Sequence, residues 1–164
     1  MADSGFKARE KYPGFNENKT ILYNSGSLTS AYPDWNRATT GAWFLNRNVT
    51  NSALVIPITG LREGDILINY RVVGAIGGEA SATSVLNASF ESVTKGTGSV
   101  TTAVIGAMTT NTAAADAALD EETSLSEEVV ATDYQYYVVL DGTTADSASC
   151  DISINGIEVD IIRA

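Results

Sequence analysis

The sequence predicts an all-β fold: an antiparallel β-sandwich, jelly-roll-like, preceded by an extended N-terminal arm. Three observations lead there. Val (13), Ile (12) and Thr (18) supply 43 of 164 residues, and β-branched side chains favour the pleated, half-buried surface of a sheet. From residue 41 onward, short runs of alternating apolar and polar residues follow one another, punctuated by Gly, Asn and Asp. The segments between these runs are too short for the crossover helices of a parallel sheet. About eight strands at such spacing fit a sandwich, with a jelly roll as the favoured topology.

Residues 1–40 lack a sustained period of 2 or 3.6 and are broken by Pro13-Gly14, Asn24-Ser25-Gly26 and Tyr32-Pro33-Asp34, all turn chemistry. Disordered segments are poor in aromatics, yet eight of the 13 aromatic residues fall in the first 44 positions. This region is therefore expected to be an arm that needs a surface. Extended, about 40 residues reach roughly 130 Å, far beyond the radius of gyration of about 14 Å expected for the remainder. The arm either crosses onto another subunit or docks on its own domain as a terminal strand.

The sandwich is expected over residues 41–164. Residues 42–49 are aromatic and apolar, and residues 53–59 form a β-rich run whose Pro57 marks an edge or an interruption. Residues 65–73 place Ile66, Ile68, Tyr70 and Val72 on one face, and residues 60–65 before them read as a polar turn joining antiparallel strands. Residues 84–93 alternate Leu86, Ala88 and Phe90 inward against Asn87, Ser89 and Glu91, and form a hairpin with residues 100–108 through Lys95-Gly96-Thr97-Gly98-Ser99. Residues 109–128, Ala-rich and then acidic, read as a short helix or a mobile loop. Residues 128–141 return to strand, with Tyr134, Tyr136, Val138 and Leu140 on one side. Residues 149–162 read as a terminal hairpin turning at Asn155-Gly156, a preferred type I′ pair.

Composition removes much of enzymology. Without histidine there is no Ser-His-Asp or Cys-His nucleophile, no His-containing zinc site and no histidine pH switch. A single cysteine, Cys150, permits neither an internal disulfide nor a multi-Cys metal site. Asp3-Ser4-Gly5 has the letters of an aspartic-protease triplet but no second copy. The 95–99 segment lacks Walker spacing and leads into a strand rather than a helix. Two carboxylates would suffice for glycoside hydrolysis, but among 20 acids no pair stands out. The cluster from Asp116 to Glu128 lacks the alternating oxygen ligands and glycine of a calcium loop, so it reads as a solvated acidic face. No catalytic residue, cofactor or metal is expected, and the chain is expected not to be an enzyme. There is no apolar run long enough to span a bilayer, and the first residues have no signal-peptide apolar core.

Charge divides the chain. Residues 1–71 carry net +2 and residues 72–164 net −12, for −10 overall. The acidic part disfavours nucleic acid as a partner. Within the arm, Phe6, Lys7, Arg9, Tyr12, Phe15, Tyr32, Trp35 and Arg37 are the candidate partner-binding residues, aromatic anchors interleaved with basic groups along a protein surface. Trp35 and Trp43 are alternatively sugar-stacking groups, which would make the chain a carbohydrate-binding module.

Four segments carry a resemblance: residues 56–66 (IPITGLREGDI), residues 70–74 (YRVVG), residues 136–140 (YYVVL) and residues 154–159 (INGIEV). Over about residues 53–162 the chain resembles small virion structural proteins of tailed bacteriophages, of the capsid-decoration or head-fibre kind; residues 1–40 lie outside the resemblance. It implies a jelly-roll or sandwich domain without catalysis or cofactor, commonly a homotrimer. Such a protein is made in the host cytoplasm and seated on the capsid exterior, with the major capsid protein as partner. The arm would then clamp neighbouring capsid subunits. A carbohydrate-binding or host-attachment module of a virion is the alternative.

Overall fold

The structure, a computed structural model, describes residues 18–23, 34–37, 41–95 and 101–163. Its strands are β1 (Asn18–Tyr23), β2 (Trp35–Arg37), β3 (Trp43–Leu45), β4 (Val49–Ile58), β5 (Ile66–Ile76), β6 (Ser84–Thr94), β7 (Thr102–Ala107), β8 (Asn111–Ala113), β9 (Ala117–Val129), β10 (Tyr134–Thr144) and β11 (Ile152–Ile162). Every strand pairing is antiparallel. There is no helix among the described residues.

The first sheet has the order β2-β3-β11-β5-β9, with β1 also on β11; the second has β4-β10-β6-β7, with β8 also on β6. From β3 onward the chain changes sheet at each connection except those joining β6, β7 and β8, so that each sheet interleaves early and late strands. This is the interleaved Greek-key order of a jelly roll. The fold class expected from composition and alternation is the one observed.

The core lies between the sheets. Leu54, Ile56, Leu86, Phe90, Val138 and Leu140 face Tyr70, Val72, Leu119, Ile154, Ile157 and Val159 across it. Tyr70 and Phe90, with ring centroids 5.7 Å apart, bridge the two layers. The Tyr70 hydroxyl donates to the Ala88 carbonyl at 3.1 Å, which satisfies the buried polar end of the ring. Full burial of a side chain such as Phe90 contributes about 1.5–3 kcal/mol.

Several local expectations change. Residues 60–65 do not join paired strands, because β4 and β5 lie in different sheets; the loop carries the chain across the sandwich, with Gly60 (φ 83) and Gly64 (φ 85) in the left-handed region. Residues 109–128 are neither helix nor loop but contain β8 and most of β9. The inward row of β9, Leu119, Glu121, Thr123 and Leu125, is half polar, which hides its period of two. Residues 149–162 are not a hairpin: β11 runs straight through Asn155-Gly156, which forms a bulge against β5. The hairpin of β6 with β7 is as expected, while its residues 96–100 lie outside the described residues.

Two stretches of the expected arm are strands of the sandwich. β1 pairs with β11 from Asn18 opposite Ile162 to Tyr23 opposite Ile157, and β2 pairs with β3.

Candidate functional site

Of the eight residues expected to bind a partner, the structure describes two, Trp35 and Arg37. Phe6, Lys7, Arg9, Tyr12, Phe15 and Tyr32 lie outside the described residues. Trp35 is 4% exposed, and its indole N–H donates to the Ser52 carbonyl at 3.0 Å. Gly142 makes room for it: a Cβ there would sit 3.2 Å from the Trp35 ring and 2.6 Å from Leu45. Trp43 is likewise buried, so neither indole presents a face to a sugar or a protein. The physical reason is burial area: a tryptophan next to a sheet edge gains more from covering the core than from solvent. Arg37, at the end of β2, is exposed.

A cleft of about 360 Å³ opens instead at one end of the sandwich, where residues 59–63, residues 130–132 and Lys95 surround the start of β10. That volume falls in the range of small-ligand sites. Alternation along β10 sets its aromatic groups. Tyr136 points into the core, Tyr137 lies on the outward face of the second sheet, and Tyr134 sits half-buried at the rim. The Tyr137 hydroxyl donates to the Gln135 side-chain oxygen, and the exposed Gln135 keeps its amide nitrogen as a further donor.

The cleft is held rigidly. The Gly64 amide donates to the Val130 carbonyl at 2.9 Å, and the Val130 amide to the Asp65 carbonyl at 2.8 Å. The fully buried Asp65 carboxylate accepts from the Arg62 amide at 2.8 Å and pairs with Arg163, which also donates to the Gly60 carbonyl at 3.1 Å. Losing one partner of such a buried pair costs about 3–5 kcal/mol. On the opposite wall the Lys95 ammonium donates to the Thr132 carbonyl at 2.8 Å. Burial pushes the Tyr136 phenol up, with Glu128 and Asp133 adding to the rise; its oxygen accepts from the Ala131 amide at 3.1 Å.

The cleft continues onto an outward sheet face. Pro57, Tyr137, Glu91 and Val104 stand opposite one another across β4, β10, β6 and β7. The Ser89 hydroxyl donates to Glu91 at 2.7 Å and fixes its carboxylate. The other sheet is different. Its outward face gathers Asp120, Glu122 and Glu158 around Arg71 at 3.5, 3.1 and 3.6 Å. The expected acidic face is there, on β9 and β11.

Among the described residues no group of three or more His, Cys, Asp or Glu is placed to hold a metal ion. Among the described residues no helix is long and apolar enough to cross a membrane. Sequence reasoning assigned none of the cleft residues a binding role: residues 60–63 read as part of a turn, Lys95 as part of a hairpin, and Tyr134 and Tyr136 as one side of a strand.

No family model matches the chain, and no curated protein matches it. Among solved structures it is similar to the CBM22-1–GH10 modules of Clostridium thermocellum endo-1,4-β-D-xylanase 10B complexed with xylohexaose, at 15% identity and TM-score 0.43. That match covers 90% of this chain, which spans only 25% of the length of the other. It is also similar to the CBM22-2 xylan-binding domain of Paenibacillus barcinonensis Xyn10C, at 15% identity and TM-score 0.43, covering 93% and 94% of the two chains.

Proposed function

We propose that the chain is a non-catalytic glycan-binding β-sandwich module of a virion. The observation that carries this reading is the end cleft. Tyr137, on the outward side of β10, and Tyr134, half-buried at the rim, line it and supply aromatic surface for the apolar faces of sugar rings, and Gln135, Glu63, Lys95 and Thr132 line it as hydrogen-bonding groups. Binding is governed by stacking and hydroxyl contacts, so it is weakly dependent on salt. A glycan microarray probed with the full chain identifies the ligand class, and calorimetry on the strongest ligand then measures Tyr137→Ala. The expected loss is about tenfold in affinity, the equivalent of roughly 1.4 kcal/mol. An array without retained glycans, or unaltered affinity in the variant, contradicts the reading.

A second reading is capsid decoration, with the major capsid protein as partner. It is favoured by the four resembling segments, which fall on β4, β5, β10, β11 and the loop between the first two. Its test is co-sedimentation with capsids of the chain lacking residues 1–17, a cut that spares β1 and β2. Loss of capsid binding supports docking through the N-terminal residues, and retained binding refutes it.

A further inference from the structure

We propose that the glycan site has a second half: a neighbouring cleft between β7 and β9 takes the continuing residues of the same glycan, so that the ligand is an uncharged oligosaccharide bound along its length rather than a terminal sugar. The proposal rests on the glycan reading of the end cleft. The second cleft, of about 420 Å³, lies between Ala103, Val104 and Ile105 of β7 and Leu125, Ser126 and Glu128 of β9. It shares Ala131, Tyr134 and Tyr136 with the end cleft, so Tyr134 belongs to the walls of both. Each cleft alone falls in the range of small-ligand sites. Together they offer more room than one sugar ring fills.

The shape follows from the strands. At Gly106 the flank of the sandwich is shut: a Cβ there would sit 2.8 Å from the Leu125 side chain and 3.1 Å from the Ser124 carbonyl oxygen. Beyond that point both strands are irregular. The register of β7 against β6 shifts with Ile105 as the extra residue, and β9 bulges against β5 between Ser124 and Glu128. Bulged strands bend, and the flank opens over residues 103–105 beside the end cleft. The β9 bulge holds Ser126 and Glu127 at φ 55 and 60, a left-handed backbone that is costly for residues with a Cβ and is concentrated at binding sites.

Two properties select the occupant. The first is apolar surface: of the four partly buried apolar side chains packed against the core among the described residues, Leu61 lines the end cleft, Ile105 the second cleft and Tyr134 both. Such surface suits the apolar faces of successive sugar rings. The second is charge. Glu63 and Glu128 line the clefts against one cation, Lys95, whose ammonium is already engaged by the Thr132 carbonyl. An acidic glycan is repelled there and a neutral one is not.

Calorimetry on the full chain tests this with β-1,4-linked gluco-, xylo- and manno-oligosaccharides from disaccharide to hexasaccharide, and with oligogalacturonides of the same lengths as acidic probes. The expected result is an affinity about tenfold higher for the hexasaccharide than for the disaccharide of a neutral series, and weaker binding of every acidic probe at low salt. Ala103→Glu abolishes that gain with length and, independently, Ile105→Ala reduces it; circular dichroism confirms that each variant is folded. Equal affinity for disaccharide and hexasaccharide, a gain unaltered in both folded variants, or tighter binding of the acidic probes overturns the second half while glycan binding by the end cleft stands. Binding of none of these series by a chain that retains other glycans on the array also overturns this proposal alone. An array without retained glycans overturns both.

Discussion

At the scale of single residues, Trp35 shows how neighbours decide a role. Its position among basic and aromatic residues predicts a surface anchor, yet Gly142, Leu45 and the Ser52 carbonyl accept it into the core. Trp35→Ala is accordingly expected to destabilise the fold by about 3–5 kcal/mol, measured by denaturant unfolding, with glycan affinity of the folded fraction unchanged. A stable variant with lost affinity would return Trp35 to the site. Asp151 makes a second case, one of pH. Burial, with Asp116 adding to it, raises its carboxyl above the ordinary aspartate value of 3.8. The folded state then binds a proton more tightly than the unfolded state does, so stability falls as pH rises from about 3.8 through the raised value. Melting temperatures across that window should show the fall in the parent chain and a shallower one in Asp151→Asn; parallel curves would contradict it.

At the scale of elements, legibility followed how completely a strand alternates. β6 and β10 bury every second side chain, and their faces could be read from the sequence residue by residue. β9 was illegible because Glu121 and Thr123 occupy inward positions, and a polar inward row removes the hydropathy contrast that marks a strand. At Asn155-Gly156 the turn chemistry predicts a hairpin, but the β5 ladder carries the strand past it as a bulge. β1 and β2 were hidden for another reason: three- and six-residue strands added at a sheet margin gain their order from β3 and β11, far away in sequence. Removing residues 1–17 should therefore leave thermal stability nearly unchanged, whereas removing residues 1–40 should lower it sharply by stripping Trp35 from the core. Equal melting temperatures for the two truncations would show that β1 and β2 contribute nothing.

At the scale of the whole molecule, the net charge of −10 is unevenly placed. One outward face carries Asp120, Glu122 and Glu158 about Arg71, while the other carries Pro57, Val55, Tyr137, Val139 and Val93 with few charges. The halving of charge along the chain was legible, but the faces were not, because the jelly-roll order interleaves early and late strands in both sheets. The end cleft was illegible for the same reason: its walls come from residues 57–61, Glu63, Lys95, residues 130–132 and residues 134–137, which only the crossing between sheets assembles. The most direct test of recognition there is amide chemical-shift mapping by NMR on the full chain, titrated with the strongest glycan found on the array. Shifts concentrated on residues 59–63 and 131–137 are the predicted result, and shifts confined to other surfaces, or none at all, would contradict it.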